Sequence, residues 1–120
     1  MNKEIIKLYK IEFINKLSQN DGKITKIPNL KNDAFSTFLF DWNAIEINEL
    51  LLPDVNEALS DSSSEIENGS ETISIIIYHN KVDFYDDNGF AYRLPTQDFK
   101  EIVIGWRDFL LSSPLNGTKV

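Results

Sequence analysis

The segment from Leu94 to Leu111 constrains the fold more than any other stretch, because it carries the clearest helical pattern in the chain. Large apolar side chains recur there at spacings of three and four residues, which places them on one face of a helix. They are Phe99, Ile102, Val103, Trp106, Phe109 and Leu110. We predict a helix near residues 96–111 with Thr96 as its N-cap, since a threonine hydroxyl accepts a hydrogen bond from an N–H one turn later. A helix this apolar on one side needs a sheet or further helices to cover it.

Residues 72–94 have the pattern of a three-stranded antiparallel meander that supplies such a cover. The run 72–78 is rich in β-branched residues, and residues 81–86 alternate apolar and polar side chains. Asn88-Gly89 then suits a tight hairpin turn before the returning strand.

A further strand is predicted near residues 36–42, because three aromatic residues alternate there with other side chains and would point the same way. They are Phe38, Phe40 and Trp42. A second helix is predicted near 46–59, disturbed at Pro53, which lacks an N–H and clashes with the preceding turn. Residues 3–17 fit either a helix or strands, and a helix is preferred because lysine and glutamate favour it.

Residues 60–71 are polar, acidic and almost free of apolar side chains, so we expect a flexible loop. Together these elements predict a single α+β domain over residues 1–120. Its antiparallel sheet holds the C-terminal meander and the strand near 36–42, packed by the helices near 46–59 and 96–111.

The charge of the chain is distributed unevenly. Residues 1–31 hold seven lysines against three acids, a net charge of +4, whereas residues 41–87 hold twelve acids against Lys81 alone, a net charge of −11. An acidic block of this kind repels nucleic acid and attracts a basic surface. The alternative is that the acids only keep a small domain soluble.

Cysteine is absent, which excludes a disulfide framework, a thiolate metal site and a cysteine nucleophile. The first ten residues lack the apolar core of a signal peptide, and no run reaches transmembrane length. We therefore expect a cytoplasmic protein without a membrane partner.

No catalytic, metal or cofactor motif stands out. His79, the sole histidine, sits at a predicted turn without a partner at a recognisable spacing. Residues 83–88 do not match a calcium loop, residues 62–64 lack a nucleophile elbow, and the glycines form no phosphate-binding pattern. We predict that the protein is not an enzyme and needs no cofactor. A small enzyme using carboxylates such as Asp41 or Asp83 remains an alternative.

The ending from Tyr92 to Leu110 resembles that of some small bacterial immunity proteins, the antidotes to polymorphic and contact-dependent inhibition toxins. The resemblance lies in Leu94-Pro95-Thr96 followed by Asp98-Phe99, and in Trp106 followed by Phe109-Leu110. It implies a cytoplasmic, non-enzymatic protein that binds a cognate toxin domain and neutralises it. Many such toxins are basic nucleases, which would fit the acidic charge. The alternative partner is another basic protein, for which the chain would act as an acidic adaptor or a nucleic-acid mimic.

We predict that the partner contacts come from the acidic middle of the chain, with one tyrosine as an anchor, because tyrosine is frequent at interface hot spots. The candidates are Asp83, Tyr85, Asp86, Asp87, Glu57, Asp61 and Glu65. These residues could converge into one patch.

Overall fold

The computed structural model describes residues 1–113, so residues 114–120 of the predicted domain lie outside the described residues. Five α-helices and one π-helical segment pack with two antiparallel sheets, of two and four strands. The prediction of an α+β fold is confirmed, although several elements differ from those expected.

The N-terminal segment is split between a helix and a strand. Helix α1 covers only Lys3–Leu8, and strand β1 (Glu12–Leu17) pairs antiparallel with strand β2 (Ile24–Asn29). The preference for a helix over all of residues 3–17 is therefore wrong beyond Leu8. Lys10 interrupts the helix with a positive φ of 50°, and burial then alternates along β1, where Phe13 and Asn15 are buried.

The strand predicted near residues 36–42 is wrong, because this segment belongs to helix α2 (Asp33–Phe40). The Asn32 side chain caps the helix by accepting a hydrogen bond from the Phe35 N–H at 3.0 Å. The buried side chains follow helical spacing, whereas Phe40 points to solvent. The buried set is Phe35, Phe38, Leu39 and Trp42.

The helix predicted near 46–59 is confirmed, together with its disturbance. Helix α3 (Ala44–Glu46) runs into a π-helical segment (Ile47–Leu51) and then into helix α4 (Leu52–Ser60). At the junction, the Leu52 N–H donates to the carbonyl of Ile47, five residues back. Pro53, the next residue, has no N–H to give to an ordinary helical bond, so the wider turn lies just before it.

The four-stranded sheet has the order β3-β4-β5-β6, with every neighbouring pair antiparallel. The meander is confirmed as β4 (Ser74–Tyr78), β5 (Val82–Asp86) and β6 (Gly89–Leu94). Gly89 has a positive φ of 105° at the turn into β6, a backbone conformation that side chains disfavour.

The loop predicted over residues 60–71 is wrong from Glu65 to Gly69, because these residues form the edge strand β3. The Asn68 side chain fixes the strand by donating to the Leu50 carbonyl at 3.1 Å and to the Asp54 carboxylate at 2.9 Å. Gly69 allows the close turn into β4, since a Cβ atom there would stand 2.9 Å from the Ile73 carbonyl oxygen.

The predicted C-terminal helix is confirmed as α5 (Thr96–Leu111), whose apolar face is buried. Thr96 is not its N-cap, because Pro95 occupies that position and the Thr96 hydroxyl instead donates to the Tyr78 carbonyl at 2.7 Å. This bond ties the start of α5 to β4. At the other end, Lys26 of β2 donates to the carbonyls of Phe109 and Ser112 at 2.8 and 3.1 Å.

Aromatic side chains from both halves of the chain meet around α5. Phe84 of β5 lies 5.1 Å from Phe35 and 5.9 Å from Phe99, measured between ring centroids. Phe13 of β1 lies 5.0 Å from Trp106. The core is therefore one continuous cluster that joins both sheets to α5.

Candidate functional site

The four-stranded sheet has one buried face and one open face. Ile75 pairs with Phe84 and Ile77 with Val82, and all four are buried against the helices. The residues between them in the strands point the other way, since successive side chains alternate across a sheet. We call this side the outer face. Its residues are Glu65, Glu67, Ser74, Ile76, Tyr78, Asp83, Tyr85, Phe90 and Arg93.

An ion pair lies at the centre of the outer face. The Arg93 guanidinium donates from Nε to Asp83 Oδ1 at 2.6 Å and from Nη2 to Oδ2 at 3.0 Å. The Asp83 side chain is only 4% exposed, whereas that of Arg93 is 51% exposed. The hydrogen bonds from Arg93 hold the pKa of Asp83 below its ordinary value, against the opposing effect of burial. Asp83 is therefore a buried partner of Arg93 and not a freely exposed acid.

Aromatic rings surround this pair. The Tyr85 and Phe90 rings meet edge to face at 6.0 Å. The Arg93 guanidinium lies 5.2 Å from the Phe90 ring centroid, and the Lys81 ammonium 4.9 Å from that of Tyr78. Partial burial and then the charge of Glu65 raise the pKa of Tyr78, so its hydroxyl stays protonated and can donate a hydrogen bond.

A groove of about 390 Å³ runs along the outer face toward the edge strand. Glu67, Ile76 and Tyr85 lie along it, together with Ser74. The groove offers an apolar floor, two hydroxyl groups and a carboxylate, which suits contact with a protein surface better than closure around a small molecule.

The predicted contact residues do not converge into one patch. Glu65 pairs with Tyr78 at the end of the sheet where β4 turns into β5, and Asp61 lies four residues before Glu65. Glu57 is exposed on α4, whose nearby Ala58 carbonyl lies 3.0 Å from His79 at that same end. Asp61 is held in a local turn, because its carboxylate accepts hydrogen bonds from the N–H and hydroxyl of Ser63, which lower its pKa.

The other predicted acids lie at the opposite end of the sheet. Asp86 and Asp87 are exposed at the turn between β5 and β6, and Asp86 accepts a hydrogen bond from the Asn88 N–H at 2.8 Å. The length of β5 separates the two ends by about 13 Å, at roughly 3.3 Å per residue. Tyr85 lies on the outer face near these acids and is half-buried. The five exposed acids therefore lie toward the two ends of the sheet, whereas Asp83 and Tyr85 lie on the outer face between those ends.

Sequence reasoning missed Arg93 and Phe90 as members of this site. Arg93 is paired directly across from Asp83 in the register of β5 and β6. The alternation of each strand was visible, but the register that joins Asp83 to Arg93 is a long-range property. The opposite charges of the two residues in adjacent predicted strands were the available signal.

His79, Ser63 and Asp83 each take part in another contact. His79 Nδ1 contacts the Ala58 carbonyl, which only accepts hydrogen bonds, so this nitrogen carries the proton. The Ser63 hydroxyl donates to Asp61 and not to His79. Asp83, with its lowered pKa, is a poor general base at neutral pH. Within residues 1–113, no group of three or more histidine or acidic side chains is placed to hold a metal ion.

Comparison of the chain with protein-family models, with curated proteins and with solved structures finds no match. The resemblance to immunity proteins therefore stays a prediction. Over the described residues, no helix has both the length and the apolar character needed to cross a membrane.

Proposed function

We propose that this protein is an immunity protein that neutralises a basic toxin domain, such as a nuclease, by direct contact in the cytoplasm. The observation that carries the proposal is the outer face of the four-stranded sheet. It combines partly exposed aromatic rings, a paired arginine and a groove, with acidic residues at both ends.

The composition of the outer face matches that of protein interfaces. Tyrosine and arginine dominate interface hot spots, and Tyr78, Tyr85 and Arg93 lie together there. Arg93 is already held by Asp83 and Phe90, so little side-chain entropy remains to be lost when a partner docks. The rings would supply the affinity.

The acids at the two ends would act mainly on the rate of association. Exposed charges steer a partner of opposite sign toward the face, and salt screens this attraction over about 10 Å. Asp86 and Asp87 lie at one end, and Glu57, Asp61 and Glu65 at the other. A basic toxin domain would be attracted along the whole length of the sheet.

The test uses the toxin domain encoded beside this chain, purified in an inactivated form. We expect binding in surface plasmon resonance, with an association rate that falls as salt rises. Asp87→Lys should lower the association rate severalfold at low salt with little change in the dissociation rate. Glu4→Lys on α1 is the matched control, because it changes the charge equally at an exposed acid outside the acidic segment. Absence of binding to this domain would refute the proposal.

A further inference from the structure

Three large apolar side chains are exposed within eleven consecutive residues. Phe40 at the end of α2 is 54% exposed, Ile45 in α3 is 68% exposed, and Leu50 in the π-helical segment is 58% exposed. Single exposed apolar residues are ordinary, whereas contiguous exposed apolar area marks an interaction surface.

The backbone holds Leu50 toward solvent. Its neighbours Leu51 and Leu52 are buried, so the segment cannot rotate inward without exposing them. The Leu50 carbonyl is also fixed by the Asn68 side chain of β3. The wide turn before Pro53 therefore presents Leu50 in a defined position, and π-helical turns often occur at functional sites.

A depression of about 310 Å³ lies beside Leu50. Asp41, Trp42 and Glu46 form one side of it, and residues 69–71 at the turn between β3 and β4 form the other. Phe40 and Ile45 are the chain neighbours of Asp41 and Glu46, two of the residues that line it. The depression therefore combines apolar surface from Trp42 and Leu50 with the carboxylates of Asp41, Glu46 and Glu71.

The segments that line the depression carry no positively charged side chain. Residues 32–80 contain no lysine or arginine. Arg107 of α5 reaches the π-helical segment through Asn48 at 3.0 Å, but its guanidinium also contacts Asp108 at 3.1 Å. An apolar surface rimmed by acids fits an apolar side chain that is flanked by lysine or arginine.

We propose that this depression is a second docking site for the basic partner, and that it takes an aliphatic or aromatic side chain flanked by lysine or arginine. This inference rests on the proposed function. The depression adjoins the groove of the outer face, because Gly69, which lines the depression, pairs with Ser74, which lines the groove. One partner can therefore cover both.

The test measures binding of the same inactivated toxin domain to Leu50→Gln. We expect about a tenfold rise in Kd, mostly through faster dissociation, because the substitution removes an apolar anchor. Leu8→Gln is the matched control, since Leu8 is 63% exposed at the end of α1 and does not line the depression. Ile45→Gln is a second test variant whose exposed position leaves the core intact.

Each outcome separates this inference from the proposed function. If the wild-type protein binds and both test variants bind equally well, the second docking site is refuted while the immunity function stands. If the wild-type protein does not bind the toxin domain, the proposed function itself fails.

A second copy of this chain is the competing occupant, because residues 1–31 are basic. Sedimentation velocity over a range of concentrations tests it. A wild-type dimer that becomes a monomer in Leu50→Gln would overturn the proposal, whereas a monomer in both cases supports it.

Discussion

The two faces of the four-stranded sheet are built from alternate residues of the same strands, yet they differ in what holds them. On the inner face, Phe84 touches rings from α2 and α5 and is fully buried. On the outer face, Tyr85, the next residue, meets one ring of the same sheet and stays half-buried. Apolar packing between elements organises the first face, and contacts within the sheet organise the second. The outer face is therefore ordered without needing a covering helix, which leaves it available for a partner.

The largest expected effect is the difference in stability between variants of the neighbouring residues Phe84 and Tyr85. Phe84→Ala should lower the free energy of unfolding by about 3–5 kcal/mol, because it leaves a cavity between three elements. Tyr85→Ala should cost about 1 kcal/mol or less, since it removes one edge-to-face contact. Urea denaturation of both variants tests the difference. Equal losses would show that the outer face also carries the fold.

The Asp83 carboxylate is buried although it lies on the outer face, and it is paired with Arg93. Breaking this ion pair should have the next largest effect on the free energy of unfolding. Arg93→Met should lower the free energy of unfolding by less than Phe84→Ala and by more than Asn68→Ala, because the Asp83 carboxylate loses both of its hydrogen bonds while remaining mostly buried. The half-exposed position of Arg93 keeps the cost at this modest level. Arg93→Met combined with Asp83→Asn should recover part of the loss, and a fully additive loss would exclude coupling.

On the side of the sheet that faces the helices, the polar side chain of Asn68 makes hydrogen bonds where its neighbours make apolar contacts. Asn68→Ala should lower the free energy of unfolding by about 1 kcal/mol, because it removes the hydrogen bonds to Leu50 and Asp54. Amide exchange should also become faster along β3. Asn56→Ala on α4 is the control, since Asn56 is exposed, and a similar effect of both variants would contradict this role.

The smallest expected effect is the change in stability when the pH is lowered. Hydrogen bonds from Arg93 lower the folded-state pKa of Asp83, so the unfolded chain binds its proton more readily. The stability from this pair is present above the ordinary aspartate pKa of about 4 and is lost as pH falls through the lower folded value. The stability gap between the wild type and Asp83→Asn should therefore narrow below about pH 4. If the stability difference between the two proteins did not change with pH, Asp83 would not contribute to the loss of stability in acid.

The elements that the sequence predicted correctly are those with a strong local pattern. The apolar face of α5, the alternation of β4 to β6 and the position of Pro53 are each contained in a short window. Strand β3 lacked such a pattern, because Ile66 is its single large apolar residue and pairing with β4 stabilises it.

Helix α2 was missed because two periodicities overlap in it. The alternation of Phe38, Phe40 and Trp42 predicted a strand, but Phe35, Phe38 and Trp42 also fit a helix. The N-cap Asn32 favours the helix over the strand, and an asparagine just before an apolar segment is a helix-start signal that the sequence itself contains. The acidic character of the candidate site and its Tyr85 could be predicted from the sequence, whereas the pairing of Asp83 with Arg93 could not, because it depends on strand register.

The contact of Lys26 with the end of α5 joins residues 83 positions apart in the chain. Phe13 and Trp106 make a similar long connection beneath it. During synthesis, the first hairpin therefore emerges from the ribosome long before its packing surface exists. The apolar side of this hairpin stays exposed until α5 has been synthesised. Contacts between residues so far apart in the chain form only after the intervening segment has closed into a loop. Folding of this domain is completed only after α5 has been translated, and loss of α5 would leave the apolar side of the first hairpin exposed.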